Sequence, residues 1–179
     1  MGFLRTSSDL VNDEKAWVSF ALCAQKAANM AGFSRRTSAQ FAGALGELRD
    51  NIYEHSGVSE DGIIAFRAEK GVFEFAASDR GMGVLESLRT SDDYAEVIDY
   101  GEALSLILTD GVSRYGLSSG RGRGFRPIFI GLANINGSLR FRSGDHALII
   151  NGQNPSLMSA QTSQKTMIEG FSASVICIV

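Results

Sequence analysis

The sequence of 179 residues predicts one α+β domain, a two-layer sandwich with a mixed, mostly antiparallel sheet and helices on one face. Two long segments, residues 12–32 and 37–55, repeat apolar residues at helical spacing, whereas several short segments alternate as strands do. With 44% hydrophobic residues, a chain of this length can bury one sizeable core. We therefore expect a single domain over residues 1–179.

Two helices are predicted ahead of the first strands. From Asn12 to Gly32 the apolar positions recur every three or four residues, so residues 1–36 are expected to be an N-terminal helical segment. A second helix, capped by Thr37 or Ser38, should run to about His55. Its core-facing stripe consists of Phe41, Leu45, Leu48 and Ile52.

The strand signals lie in the remaining chain. The predicted strands are residues 63–68, 72–77, 139–142, 147–150 and 174–179. The first two form a hairpin around residues 69–71, and the third and fourth form another. Between these hairpins, the acidic and partly helical residues 84–119 are expected to form a lid, and residues 125–136 an apolar helix.

Composition excludes some classes of partner. With 17 basic and 20 acidic residues the chain has no strong field to attract nucleic acid or an anionic membrane surface. No apolar stretch reaches the ~18 residues of a membrane span. Cys23 and Cys177 are both expected in apolar surroundings and form no disulfide framework. We expect a cytoplasmic protein without nucleic-acid or membrane partners.

The second helix carries an acid and an amide one turn apart. At about 100° per residue, Glu47 and Asn51 share nearly one angle, roughly a quarter turn from the apolar stripe. An amide oxygen can be a ligand of Mg²⁺, and a carboxylate can orient and deprotonate a nucleophile beside a phosphate. The same pair also fits ordinary solvated helix positions. His55, one turn further, fits a partly buried structural histidine or a phosphate-side contact.

Asp79 follows a run, Val72 to Ser78, that is typical of a buried strand. An ionised carboxylate only accepts hydrogen bonds, so it would pair with the exocyclic amino group of adenine and repel the corresponding oxygen of guanine. Gly81 and Gly83 permit a sharp turn and the close approach of a flat base. An ordinary Asp-Gly loop turn is the alternative interpretation.

A third motif alternates glycine and arginine just before the predicted apolar helix. It consists of Gly120, Arg121, Gly122, Arg123 and Gly124. Free backbone amides at a helix start, with two guanidinium groups, form a site suited to a triphosphate. Phe125 stands where a dinucleotide fingerprint has its third glycine, and the Walker ending is missing. An RNA-binding Arg-Gly patch is disfavoured by the net charge of -3.

In this order the motifs resemble three boxes of the GHKL superfamily, which includes gyrase B, chaperone, histidine-kinase and mismatch-repair ATPases. Residues 47–56 look like its N-box, residues 79–83 like its G1 box and residues 120–124 like its G2 box. The likeness covers roughly residues 37–179. It implies the Bergerat, histidine-kinase-like ATPase fold and the ligands ATP and Mg²⁺.

The resemblance also implies roles for individual residues. Glu47 would be the general base, Asn51 the Mg²⁺ ligand and Asp79 the adenine acceptor. Gly81 and Gly83 would form the floor of the base site, and the third motif would hold phosphates beneath the lid. Family members often have a Gly-Thr step before the last strand. Here Phe171 follows Gly170, and the candidate hydroxyls belong to Ser172 and Ser174.

The chain resembles most the small single-domain branch, which includes anti-sigma-factor serine kinases, and it equally fits one domain of a larger sensor. The resemblance implies signalling through ATP hydrolysis or phosphoryl transfer to a protein partner. The alternative is a regulatory binding module. In that case ATP occupancy changes a protein-binding surface with little turnover.

Overall fold

The computed structural model describes residues 1–6, 10–55, 57, 61–108, 137–151 and 160–179. The elements are β1 (Gly2–Arg5), α1 (Leu10–Met30), α2 (Arg35–His55), β2 (Ile63–Glu69), β3 (Val72–Ser78), α3 (Gly83–Arg89), a 3₁₀ turn (Asp92–Tyr94), α4 (Tyr100–Leu106), β4 (Ser138–Ile150) and β5 (Gln161–Ile178). The predicted α+β class is confirmed, and so are both long helices and the β2–β3 hairpin.

The five strands form one open sheet in the order β1-β2-β3-β5-β4. Every pairing in the described sheet is antiparallel, so the prediction of a mixed sheet is wrong. Two helices, α1 and α2, connect β1 to β2, and the two strands pair antiparallel. β3 and β4 do run in the same direction, but β5 lies between them and pairs with both.

The core lies between the helices and one face of the sheet. Side chains alternate along β3, where Phe73 and Phe75 are buried and their neighbours are more exposed. The predicted α2 stripe is fully buried, and Phe41 stacks on Phe73 with ring centroids 4.9 Å apart. Each such side chain contributes about 1.5–3 kcal/mol on burial. This contact holds α2 beside the central strand β3.

A polar cluster fixes α1 to α2. The Arg49 guanidinium lies 5.2 Å from the Trp17 ring centroid and 5.1 Å from that of Tyr53. It donates to Glu14 at 2.8 Å and lies 3.5 Å from the buried carboxylate of Asp13. The Tyr53 hydroxyl also donates to Asp13. The buried acid therefore has a cation and a hydroxyl as partners, as a buried charge requires.

The N-terminal third differs from the prediction in two details. Residues 1–36 are not wholly helical, because Gly2–Arg5 pairs with β2 as an edge strand too short to give a periodic signal. The cap of α2 is Ser34, whose hydroxyl accepts from the Thr37 N–H at 3.1 Å. The expected caps, Thr37 and Ser38, already lie inside the helix.

The hairpin predicted within residues 139–150 is wrong. β4 is one strand that pairs with β5 throughout, with irregularities between Ser143 and His146. The turn-like signal comes from Gly144, whose φ of +60° marks a bulge inside the strand rather than its end. β5 accordingly begins at Gln161, well before the predicted start at Ser174.

The lid prediction is wrong for residues 84–108. Leu85, Leu88, Leu104 and Ile107 are buried in the main core, so this segment is part of the folded layer. The sequence pattern missed α3 because it is only 7 residues long. Residues 109–119, the third motif and the predicted helix at 125–136 lie outside the described residues.

Two smaller expectations can be compared with the structure. Cys177 is buried, and burial raises the pKa of its thiol to about 12. Cys23 is exposed on α1, so its predicted apolar surroundings are wrong. Within the described ranges, no helix combines the length and the apolar character needed to cross a membrane.

Candidate functional site

Asp79 follows the end of the central strand β3, and its side chain is only 3% exposed. Its backbone N–H donates to the Phe171 carbonyl at 3.1 Å, which continues the pairing with β5. Its Oδ1 accepts from the Gly81 N–H at 2.8 Å. The carboxylate of Asp79 therefore stabilises the turn after β3 through this hydrogen bond.

The second carboxylate oxygen, Oδ2 of Asp79, is buried and has no hydrogen-bond partner in the described part of the chain. Burial raises the pKa of this carboxyl, and the backbone amides of Gly81 and Phe171 partly oppose that shift. Leaving a buried acceptor unpaired costs about 1–3 kcal/mol, and more when the group is charged. Among the described residues, this oxygen therefore lacks the donor that a buried acceptor needs.

Gly83 of the turn is needed for close packing. Gly83 has a φ of +74°, and a Cβ there would lie 2.7 Å from the Ser143 Oγ. Beside it, the Met82 side chain lies against Gly57, where an added Cβ would be 3.1 Å from the Met82 Cε. Because Gly57 follows the end of α2, the turn after β3 lies next to the C-terminal end of that helix.

On α2, Asn51 and Glu47 have different environments. Asn51 is buried, and its amide nitrogen donates to the Glu47 carbonyl at 2.8 Å. Since only the NH₂ group can donate, the amide oxygen is the atom turned away from that carbonyl and is suited to a hard cation such as Mg²⁺. The Glu47 side chain is exposed. His55 is the last residue of α2, and its side chain lies outside the described atoms.

The elements that carry the first two motifs are therefore neighbours on the helix-covered side of the sheet. α2 packs on β3, and it also contacts α3, which begins at Gly83. The third motif lies outside the described residues, as do all of residues 109–136.

Two residues that the sequence analysis did not select complete the surroundings of Asp79. They are Ser143 on β4 and Gly170 on β5, both buried. The expected hydroxyls of Ser172 and Ser174 belong to the opposite face of the sheet, because they alternate with buried residues of β5. The sequence feature that could have pointed to Ser143 and Gly170 was a glycine within or beside each strand pattern, because such a glycine often marks a bulge.

Comparisons with known proteins add no relative. The chain matches no protein-family model, and no curated protein is significantly similar to it. The likeness to GHKL ATPases therefore rests on the three sequence motifs and on their order.

Proposed function

We propose that this chain is a Mg²⁺-ATP-binding domain of the GHKL type, with the Bergerat fold. It acts in signalling through ATP hydrolysis or phosphoryl transfer to a protein partner. A location in the cytoplasm, where ATP and Mg²⁺ are supplied, belongs to the same proposal. The observation that carries it is the buried Oδ2 of Asp79, which has no partner among the described residues.

The chemistry of Asp79 supports adenine as the recognised base. Its Oδ1 is already used by the Gly81 N–H, so Oδ2 is the oxygen that can accept from a ligand. The exocyclic amino group of adenine is such a donor, whereas guanine has an oxygen at that position. Discrimination should be strong, because a buried polar group left unpaired by the wrong ligand costs free energy.

The positions of Asn51 and Glu47 on α2 support the assignment of the phosphate side. The Asn51 oxygen would be the protein ligand of Mg²⁺, and the bound ion would supply charge neutralisation at the phosphates. Glu47, one turn away on the same helix, would accept the proton of the attacking hydroxyl or water. The arginines of the third motif, Arg121 and Arg123, are proposed to bind phosphate oxygens.

One observation favours a second candidate, a regulatory module that binds ATP with little turnover. Asp79 and Asn51 are buried and held by hydrogen bonds, whereas the Glu47 side chain is exposed. The parts that bind are thus built into the fold, while the side chain of the proposed base is exposed. Closure by a partner protein would then be needed for efficient transfer.

Incubation with γ-labelled ATP and Mg²⁺ tests the proposal and separates its two forms. The purified chain is assayed with and without candidate partner proteins, and Asp79→Asn serves as the control for contaminating enzymes. Labelled protein indicates a kinase, and free phosphate indicates an ATPase. Binding without either product supports the regulatory module, and absence of ATP binding in calorimetry contradicts the whole proposal.

A further inference from the structure

Ser143 connects the turn after β3 to the last strand. The side chain is 1% exposed, and its hydroxyl accepts from the Val84 N–H at 2.9 Å. The same hydroxyl donates to the Gly170 carbonyl, also at 2.9 Å. One buried side chain therefore links two backbone groups that lie far apart in the sequence.

The irregular pairing of β4 with β5 brings Gly170 to this position. Ser143 pairs with Phe171, but the next paired residues are Gly144 and Ile168, so Gly170 and its neighbour bulge out of β5. The φ of Gly170 is +67°, which favours glycine. In this conformation its carbonyl accepts from Ser143.

The opposite side of Gly170 contacts Asp79. A Cβ added to Gly170 would lie 2.4 Å from the Asp79 Oδ1 and 2.3 Å from its carbonyl oxygen. A Cβ added to Gly83 would lie 2.7 Å from the Ser143 Oγ, so the hydroxyl, the bulge and the turn pack closely together. A shift of the bulge would therefore be transmitted to the carboxylate.

We propose that Ser143 is a positioning residue for adenine recognition. Its two hydrogen bonds hold the bulge against the turn and thereby keep the Asp79 carboxylate aimed at the amino group of the base. The inference rests on the proposed function. Removing the hydroxyl takes one hydrogen-bond partner from Val84 and one from Gly170, which loosens the carboxylate without altering the Glu47 and Asn51 face.

The test compares ATP with inosine triphosphate, which has an oxygen in place of the adenine amino group. Calorimetry gives both affinities for the wild type and for Ser143→Ala. We expect the wild type to prefer ATP by about tenfold or more, since a hydrogen bond to a charged group is lost with inosine. Ser143→Ala should reduce this preference to about threefold or less, while the affinity for inosine triphosphate stays within about twofold.

Two further variants serve as controls. Ser143→Thr keeps a hydroxyl and should retain most of the preference. Ser38→Ala removes an equally buried hydroxyl that has no hydrogen-bond partner among the described residues, so it should leave both affinities unchanged. If Ser143→Ala does not fold, Ser143→Cys is measured instead, because a thiol leaves no cavity at this position and weakens both hydrogen bonds.

The outcomes separate this inference from the proposed function. A wild type that prefers ATP, with an unchanged preference in Ser143→Ala or Ser143→Cys, overturns the role of Ser143 alone. An equal loss of both affinities in the variant also overturns it, since that pattern indicates general destabilisation. A wild type that does not distinguish the two nucleotides contradicts adenine recognition by Asp79, and the role of Ser143 falls with it.

Discussion

Gly170 lies directly against the carboxylate of Asp79, on the bulge of β5 that faces the turn after β3. A Cβ at Gly170 would be 2.4 Å from the Asp79 Oδ1, closer than any real contact of this kind. The last strand thus holds the proposed adenine acceptor in place, although the two residues are far apart in the sequence.

Replacing Gly170 by alanine should therefore disrupt the site. The φ of +67° adds backbone strain to the steric clash, and we expect a destabilisation of about 1–3 kcal/mol with at least a tenfold loss of ATP affinity. Urea unfolding and calorimetry measure the two effects. Gly43→Ala is the matched control, because a Cβ on that α2 residue meets nothing within 4 Å. It should stabilise the helix by about 0.5–1 kcal/mol and leave binding unchanged.

Glu47→Ala should separate binding from turnover. The side chain is exposed on α2, so its loss should change stability by less than about 0.5 kcal/mol and leave ATP affinity near that of the wild type. Phosphate release or transfer should be lost, as expected for a missing general base. Glu54→Ala, an exposed acid on the same helix, is the control and should keep turnover. Wild-type turnover in Glu47→Ala would remove the assigned role.

The raised pKa of Asp79 predicts the pH dependence of binding. Only the ionised carboxylate is a pure acceptor, so ATP affinity should fall as the pH drops through a value above the ordinary 3.8 of aspartate. Calorimetric titrations at several pH values between about 4 and 7 measure this fall. An affinity that stays constant over this range would contradict the assignment.

The same shift makes stability without nucleotide depend on pH in the opposite sense to a salt-bridged acid. Because the folded pKa exceeds the unfolded one, the stabilising contribution is fully present below about 3.8 and is lost as the pH rises through the folded value. The unfolding free energy of the wild type minus that of Asp79→Asn should therefore decrease as the pH rises. Urea titrations measure both free energies, and the subtraction removes the contributions of the other carboxylates, which the two proteins share.

The cluster around Arg49 should dominate the attachment of α1. Its side chain is 12% exposed, and Arg49→Ala removes the cation beside buried Asp13 together with two ring contacts. We expect a loss of about 2–3 kcal/mol, below the full effect of breaking a buried pair because Tyr53 still donates to Asp13. Arg67→Ala breaks a half-exposed pair with Glu74 and should cost less than about 1 kcal/mol. Equal losses in chemical unfolding would contradict this ranking.

Local patterns predicted much of this fold because its longest elements satisfy local rules. The α2 stripe and the alternation along β2 and β3 are set by periodicity, which a sequence displays directly. β1 and α3 were missed because four and seven residues give too little periodic signal.

The surroundings of the candidate site were predicted less completely. Asp79 and its glycines were selected because their chemistry is local to one turn. Ser143 and Gly170 were not, since their role depends on a bulge that exists only once β4 and β5 pair. The register of two strands is a tertiary property, and a glycine inside a strand pattern is equally typical of a turn.

The most direct test of the central claim is calorimetric titration of Mg²⁺-ATP into the wild type and Asp79→Asn. The variant replaces the buried acceptor oxygen by a group of nearly the same size, while the other oxygen can still accept from the Gly81 N–H. We predict that the wild type binds Mg²⁺-ATP measurably and that the variant does not. The variant should nevertheless be folded, with a midpoint of urea unfolding at or above that of the wild type. Unchanged affinity in the folded variant would contradict the account.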